Sequence, residues 1–357
     1  MQSSEDRISQ ISDNLNEYNF TKEGVGIAIL KKLAETNLEQ TPGYGEDHYC
    51  AEAAGIIRRL CGREDAAVHF LVGGTQANLT VIASALRSHQ GAVGAVTAHI
   101  NVHETGSIEA TGHKVLALPS EDGKITAEQV EELYQAHIRD ESFEHTVQPK
   151  MVYISNPTEL GTIYTRAEME NLYGVCRKYG LYLFVDGARL AYGLAAEGND
   201  LDLKSLAGSC DVFYIGGTKV GALFGEAVVI LNDELKADFR YHIKQRGGML
   251  AKGRLLGIQF GELLRDGLYF ELGAHADRLA DKIRCACVKK GYPFLVENTT
   301  NQVFPIMPDS LLESWKDKYS YTNQGRVDES HTAIRLCTSW ITSGEQVDIL
   351  VNDILNS

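Results

Sequence analysis

The stretch DVFYIGGTKVGALFG, residues 211–225, decides how this chain is read. Val212, Phe213, Tyr214 and Ile215 form a short apolar and aromatic run that Gly216 and Gly217 end, the pattern of a buried strand. Lys219 follows two residues after those glycines, where a strand hands over to a loop. Apolar surroundings there would desolvate the ammonium and favour the neutral amine. A neutral, positioned lysine amine is what Schiff-base chemistry needs. A lysine just past a strand is more often a plain surface residue, so its meaning depends on its company.

Working upstream, FVDGARLA (184–191) puts Asp186 at the end of another strongly apolar strand. Ligands of open α/β sheets bind beyond the carboxyl ends of strands, so Asp186 would face such a crevice, although a helix N-cap reads the same locally. Arg189, three residues on, could fork onto that carboxylate or onto a ligand's. GGTQAN (73–78) lies between a strand and a helix. Gly73 and Gly74 would let the backbone approach an anion, and Thr75 opens a helix whose unpaired N–H groups favour phosphate. An ordinary strand-to-helix turn has the same look. The dinucleotide pattern G-x-G-x-x-G and the P-loop are both absent, which excludes those two nucleotide-binding classes. AHINVHETG carries His99 and His103 four apart, without the third ligand or the H-E-x-x-H order that a metal site requires. A histidine stacked on a flat ring is the functional alternative to a structural one.

The rest of the chain supplies the frame. VHFLV, GAVGAV, KVLALP, MVYIS, LYLFV, VFYI and AVVIL read as strands, separated by helices. Two of those helices open with capping boxes, Thr126 with Gln129 and Thr165 with Glu168, and the second stops at Gly180. Strands alternating with capped helices predict an α/β fold with a mainly parallel sheet covered on both faces. After about residue 235 the rhythm changes to long helices, the strand candidates NQVFPIM and AIRLCT, and a last helix capped by Ser343 with Gln346. The expected division is an N-terminal segment 1–40 packed on the body, a large domain 41–240 and a small α+β domain 241–357.

Composition narrows the class. The 357 residues are 44% hydrophobic and 23% charged, ordinary for a globular protein. A net charge of −14 argues against nucleic-acid and anionic-membrane partners. No apolar run approaches the roughly 18 residues of a membrane span, and MQSSEDRISQISDNLNEYNF lacks the features of a signal peptide. Seven scattered cysteines read as reduced thiols, so a cytoplasmic setting is expected.

In chain order, a phosphate-binding helix start, a ring-stacking histidine, a strand-end aspartate and a strand-end lysine each suit one part of pyridoxal 5′-phosphate. With Arg189 and Arg335 (in AIRLCT) available for an α-carboxylate, the chain resembles the low-specificity threonine aldolases of the β-eliminating lyase group. Those have the aspartate aminotransferase type of fold, fold type I of the pyridoxal-phosphate enzymes. GYGED, GGTQAN, VDGARL and the lysine loop carry the resemblance, which runs from AETNLEQTPGYGED to AIRLCTSW. It implies a sheet of the seven-stranded type in the large domain. It also implies Lys219 as Schiff-base lysine, Asp186 as partner of the pyridine nitrogen, Gly74 and Thr75 on phosphate, His99 on the ring, and Arg189 with Arg335 on the substrate carboxylate. Sites in the family lie between paired subunits. That makes Tyr44, Arg246 and Lys252 candidates to reach a neighbour's site and a homodimer or homotetramer the expected assembly.

The reaction implied is cleavage of a β-hydroxy amino acid to glycine and an aldehyde, with an elimination or an aminotransfer on the same scaffold as the alternatives. Thr218–Lys219 stands where many relatives have Ser–Lys, and either hydroxyl suits phosphate. SNPTELGT (155–162) and Thr338–Ser339 lack histidines that relatives carry there, leaving His103 or a water as the expected base.

Overall fold

A computed structural model describes residues 24–357. Within it a seven-stranded sheet is built from β1 (Ala67–Leu71), β2 (Gln90–Ala95), β3 (Val115–Leu118), β4 (Gln148–Ser155), β5 (Tyr182–Asp186), β6 (Val212–Gly216) and β7 (Glu226–Ile230). The strand order is β1-β7-β6-β5-β4-β2-β3. The run from β6 to β3 is parallel, and β7 is antiparallel to both β1 and β6. β2, β6 and β7 are buried along their whole length, which is why they read as continuous apolar runs instead of alternating ones.

Both capping boxes form as read, at the starts of the helices Ala127–Arg139 and Arg166–Tyr179. At the last helix, Gly344–Asn356, Ser343 accepts from the Gln346 N–H. β5 and β6 come close at their carboxyl ends. A Cβ on Gly187 would lie 1.9 Å from the Tyr214 carbonyl oxygen, so only glycine lets the chain leave β5 there.

A second, four-stranded sheet holds β10 (Thr322–Arg326), β11 (His331–Cys337) and β8 (Gln302–Val303) in that order, with β9 (Ile306–Pro308) also on β11. The expected single strand NQVFPIM is thus split at Phe304–Pro305, since proline has no N–H to give a ladder. β10, exposed at every position, has no sequence counterpart among the expected strands.

Two hydrophobic cores result, and the helix Leu268–Lys290 belongs to both. Tyr269, Leu272 and Ala276 pack into the larger core, and Leu279, Ala280 and Ile283 into the smaller. Midway along it, Gly273 allows close approach to the helix Leu190–Ala195, where a Cβ would meet the Ala191 oxygen at 2.4 Å. On the same helix Asp277 is buried with neither carboxyl oxygen partnered among the described residues, and burial pushes that carboxyl up to about 8.

Of the expected N-terminal segment, residues 1–23 lie outside the described part. The helix Gly24–Glu35 buries Ile29 in the larger core and packs on the helix Arg254–Leu264, whose Arg254 donates to the Thr36 carbonyl oxygen at 2.5 Å. No helix among the described residues is long and apolar enough to cross a membrane.

Candidate active site

The parallel strands end on one side of the sheet, and the loops leaving them enclose a cavity of about 290 Å³. Gly73, Gly74, Thr75, His99, Asp186, Arg189, Thr218 and Lys219 all line it. Residues spread over 147 positions of chain, from Gly73 to Lys219, are thus brought together by the topology alone.

On the floor, Asp186 ends β5 and is 4% exposed. Its Oδ2 accepts from the Tyr153 hydroxyl and from Asn78 Nδ2 at 3.1 Å, and its Oδ1 accepts from the Ala188 N–H at 2.9 Å. The carboxylate is therefore fixed from β4, from the helix Gly74–Ala85 and from its own loop, and Arg189 is not among its hydrogen-bond donors.

Lys219 sits on the short turn after β6 and is partly buried. Burial first, and the Arg189 charge second, lower its amine below the ordinary lysine range. Glu226 lines the same cavity from the start of β7. Its Oε2 accepts from the Gly217 N–H at 3.2 Å, and burial raises its carboxyl to about 8. A lowered amine and a raised carboxyl side by side mean that desolvation outweighs their mutual attraction.

The helix Gly74–Ala85 has Gly73 at its N-cap with no side-chain hydrogen bond, and nothing lies within 4 Å of a Cβ built on Gly73. Its first residues, Gly74 and Thr75, line the cavity. Thr218 Oγ1 on the facing loop accepts from the Gly225 N–H at 2.9 Å.

His99 begins the short helix that follows β2, and its Nδ1 pairs with Glu104 Oε1 at 2.7 Å. That bond raises the imidazole above its ordinary value. Glu104 is buried and also accepts from Asn78 Nδ2 at 2.7 Å and Ser107 Oγ at 2.7 Å. His103 is exposed, with its ring centre 5.7 Å from that of His99, and does not line the cavity.

Arg335 on β11 also stands outside the lining, close enough to Arg189 that the two charges act on one another. Its guanidinium reaches Gln302 Oε1 at 3.4 Å and Thr322 Oγ1 at 3.3 Å, and its buried Nε has no partner among the described residues. Tyr44 is exposed, has a left-handed backbone at φ 62°, and lines a different cleft with Arg240 and Met249. Lys244 lies 4.9 Å from its ring centre. Arg246 is tied to the glycine turn through its carbonyl oxygen, which accepts from Gln76 Nε2 at 3.1 Å, and Lys252 is exposed.

These residues fit pyridoxal 5′-phosphate. An uncapped helix start suits the phosphate, a fixed carboxylate the ring nitrogen, and a desolvated amine the aldehyde. Tyr153, Asn78, Glu104, Glu159 and Glu226 join the site without being among the candidate residues of the sequence. Asn78 and Glu159 lay in quoted motifs, and His103–Glu104 adjoins His99, so local signals existed for three. Tyr153 and Glu226 are placed by strand pairing, which short motifs do not carry.

The pattern of the beta-eliminating lyase family matches residues 25–308. A low specificity L-threonine aldolase from Pseudomonas sp. is 32% identical over 330 residues, 90% of this chain and 92% of the relative. A solved threonine aldolase from Leishmania major is 43% identical with a TM-score of 0.89, covering 92% of this chain and 95% of that one. An aspartate aminotransferase from Thermus thermophilus, at 14% identity, shares the fold with a TM-score of 0.68 over 100% of this chain and 97% of its own. The fold is therefore the aspartate aminotransferase type, and the chain belongs to the beta-eliminating lyase family.

Proposed function

We propose that this protein is a pyridoxal-5′-phosphate-dependent aldolase, a carbon–carbon lyase that splits a β-hydroxy amino acid of the L-threonine type into glycine and an aldehyde. One observation carries the proposal: Lys219, Asp186, His99 and the open helix start at Gly73–Thr75 line a single cavity in a chain similar to threonine aldolases over 90% or more of its length. When bound, the cofactor ring withdraws the electron pair left on Cα.

The protein's own groups do the rest. The N–H groups of Gly74 and Thr75, with the Thr218 hydroxyl, would hold the phosphate. Asp186, fixed by Tyr153 and Asn78, would pair with the ring nitrogen, and His99, oriented by Glu104, would pack on the ring. Arg189 and Arg335 grip the substrate carboxylate as planar forks. Lys219 Nζ, whose basicity burial lowers, would anchor the cofactor and, after taking a proton from the substrate ammonium group, would return it to Cα. Tyr44, Arg246 and Lys252 complete a neighbouring subunit's site in a homodimer or homotetramer, and the protein works in the cytoplasm.

The test is product analysis on protein reconstituted with the cofactor. L-Threonine should give glycine and acetaldehyde in equal amounts, and Lys219→Ala should reduce the rate by about 1000-fold or more. A keto acid and ammonia in place of glycine would make the protein an eliminating lyase on the same scaffold.

A further inference from the structure

Glu159 follows β4 in the loop 155–162, partly exposed to the cavity that Lys219 lines. Two donors fix it, the His99 backbone N–H at 2.9 Å and Ser155 Oγ at 2.7 Å, and both bond to Oε1. Oε2 accepts from no donor among the described residues. Burial raises this carboxyl above the ordinary glutamate range, with the charge of Asp186 adding to the effect, so its ionised form is a stronger base than a surface glutamate.

The other groups around the cavity are committed elsewhere. Asp186 is filled by Tyr153, Asn78 and Ala188, Glu226 is bonded to the lysine loop, and His99 is held at Nδ1 by Glu104. Arginine cannot accept a proton, and His103 is exposed and off the lining.

We propose, resting on the aldolase function above, that Glu159 is the general base of the cleavage, with Oε2 taking the proton of the substrate β-hydroxyl. The O–H bond breaks and its electron pair becomes the second bond of the aldehyde carbonyl. The Cα–Cβ bond breaks with its pair remaining on the glycine half, which Lys219 Nζ then completes at Cα with the proton it took from the substrate ammonium group. Glu159 releases its own proton to the water of the open cavity.

The charged and titratable groups facing Glu159 are Asp186 at the end of β5, Lys219 after β6, His99 and Glu104 after β2, and Tyr153 on β4, with Tyr164 behind it. As a base it must be ionised, so the rate rises with pH through its raised value. The acid limb of kcat then lies above the usual carboxylate range.

The experiment uses reconstituted holoenzyme and two reactions. Exchange of the glycine α-hydrogen in D2O, followed by proton NMR, needs Lys219 and the carboxylate grip but no β-hydroxyl base. Glu159→Gln, which can still accept the same two donors, should exchange glycine within about threefold of wild type. It should lose about 100- to 10000-fold in L-threonine cleavage, together with the acid limb. Glu159→Asp should keep the acid limb at a reduced rate, which covers a glutamine variant that fails to load cofactor. Cleavage at the wild-type rate, or cleavage and exchange falling together, would overturn the proposal and leave Glu159 as a support for His99. Wild-type protein that neither exchanges glycine nor cleaves L-threonine would instead sink the aldolase function itself.

Discussion

Asp186, on the cavity floor, is 4% exposed and accepts hydrogen bonds from Tyr153, Asn78 and Ala188. Asp277, on the helix shared by the two cores, is 7% exposed and accepts from no donor among the described residues. Two aspartates of nearly equal burial therefore sit in opposite chemical settings. One is surrounded by donors from three elements, an arrangement that supports a fixed negative charge. The other is surrounded by packing, so burial raises its carboxyl to about 8 and keeps the proton on at neutral pH. Burial alone does not make a functional acid; the donors around it decide.

The sharpest way to break this contrast is Asp186→Asn. Kept shape without charge should lower cleavage by about 100- to 1000-fold, and cofactor release should rise in equilibrium dialysis. A variant of near wild-type activity would remove the role given to the floor. Tyr153→Phe should cost less. Loss of one hydrogen bond to a charged group is worth about 1.5–3 kcal/mol, so a fall of about 10- to 100-fold in kcat/KM is expected, with an unchanged melting temperature as control for folding.

Asp277→Asn should touch activity least and report on pH. The folded-state value lies above the unfolded value of about 4, so the stability tied to this proton is complete below pH 4 and is lost as pH rises through about 8. The asparagine variant lacks that loss. Its melting temperature should match wild type in acid and exceed it increasingly from neutral pH to pH 9. Parallel melting curves across pH would show that the carboxyl has found partners.

How far the sequence carried differs between these regions for physical reasons. Asp186 and Lys219 were legible because each follows an apolar run at the end of a parallel strand, where position in sequence predicts position in space. The capping boxes at Thr126 and Thr165 were legible because their partners lie three residues away. Glu226 was not, since it enters the cavity at the beginning of β7, which runs antiparallel to both β1 and β6. Tyr153 reaches Asp186 across the β4–β5 pairing, and Glu104 acts through its bond to His99. β10, polar and exposed, carries no periodic signal. Asp277 lies in a helical run whose sequence carries no mark of that carboxyl's burial.

The helix Leu268–Lys290 also bears on how this protein could be recombined. A chimera that exchanges the C-terminal body would need a junction in one of the flanking loops, at Gly267 or Gly291. A join at Gly267 imports Tyr269, Leu272 and Ala276 into a host interior that did not evolve with them. A join at Gly291 leaves Leu279, Ala280 and Ile283 facing a foreign sheet. Neither cut separates two self-sufficient modules, so the two bodies must be inherited, and redesigned, as one unit.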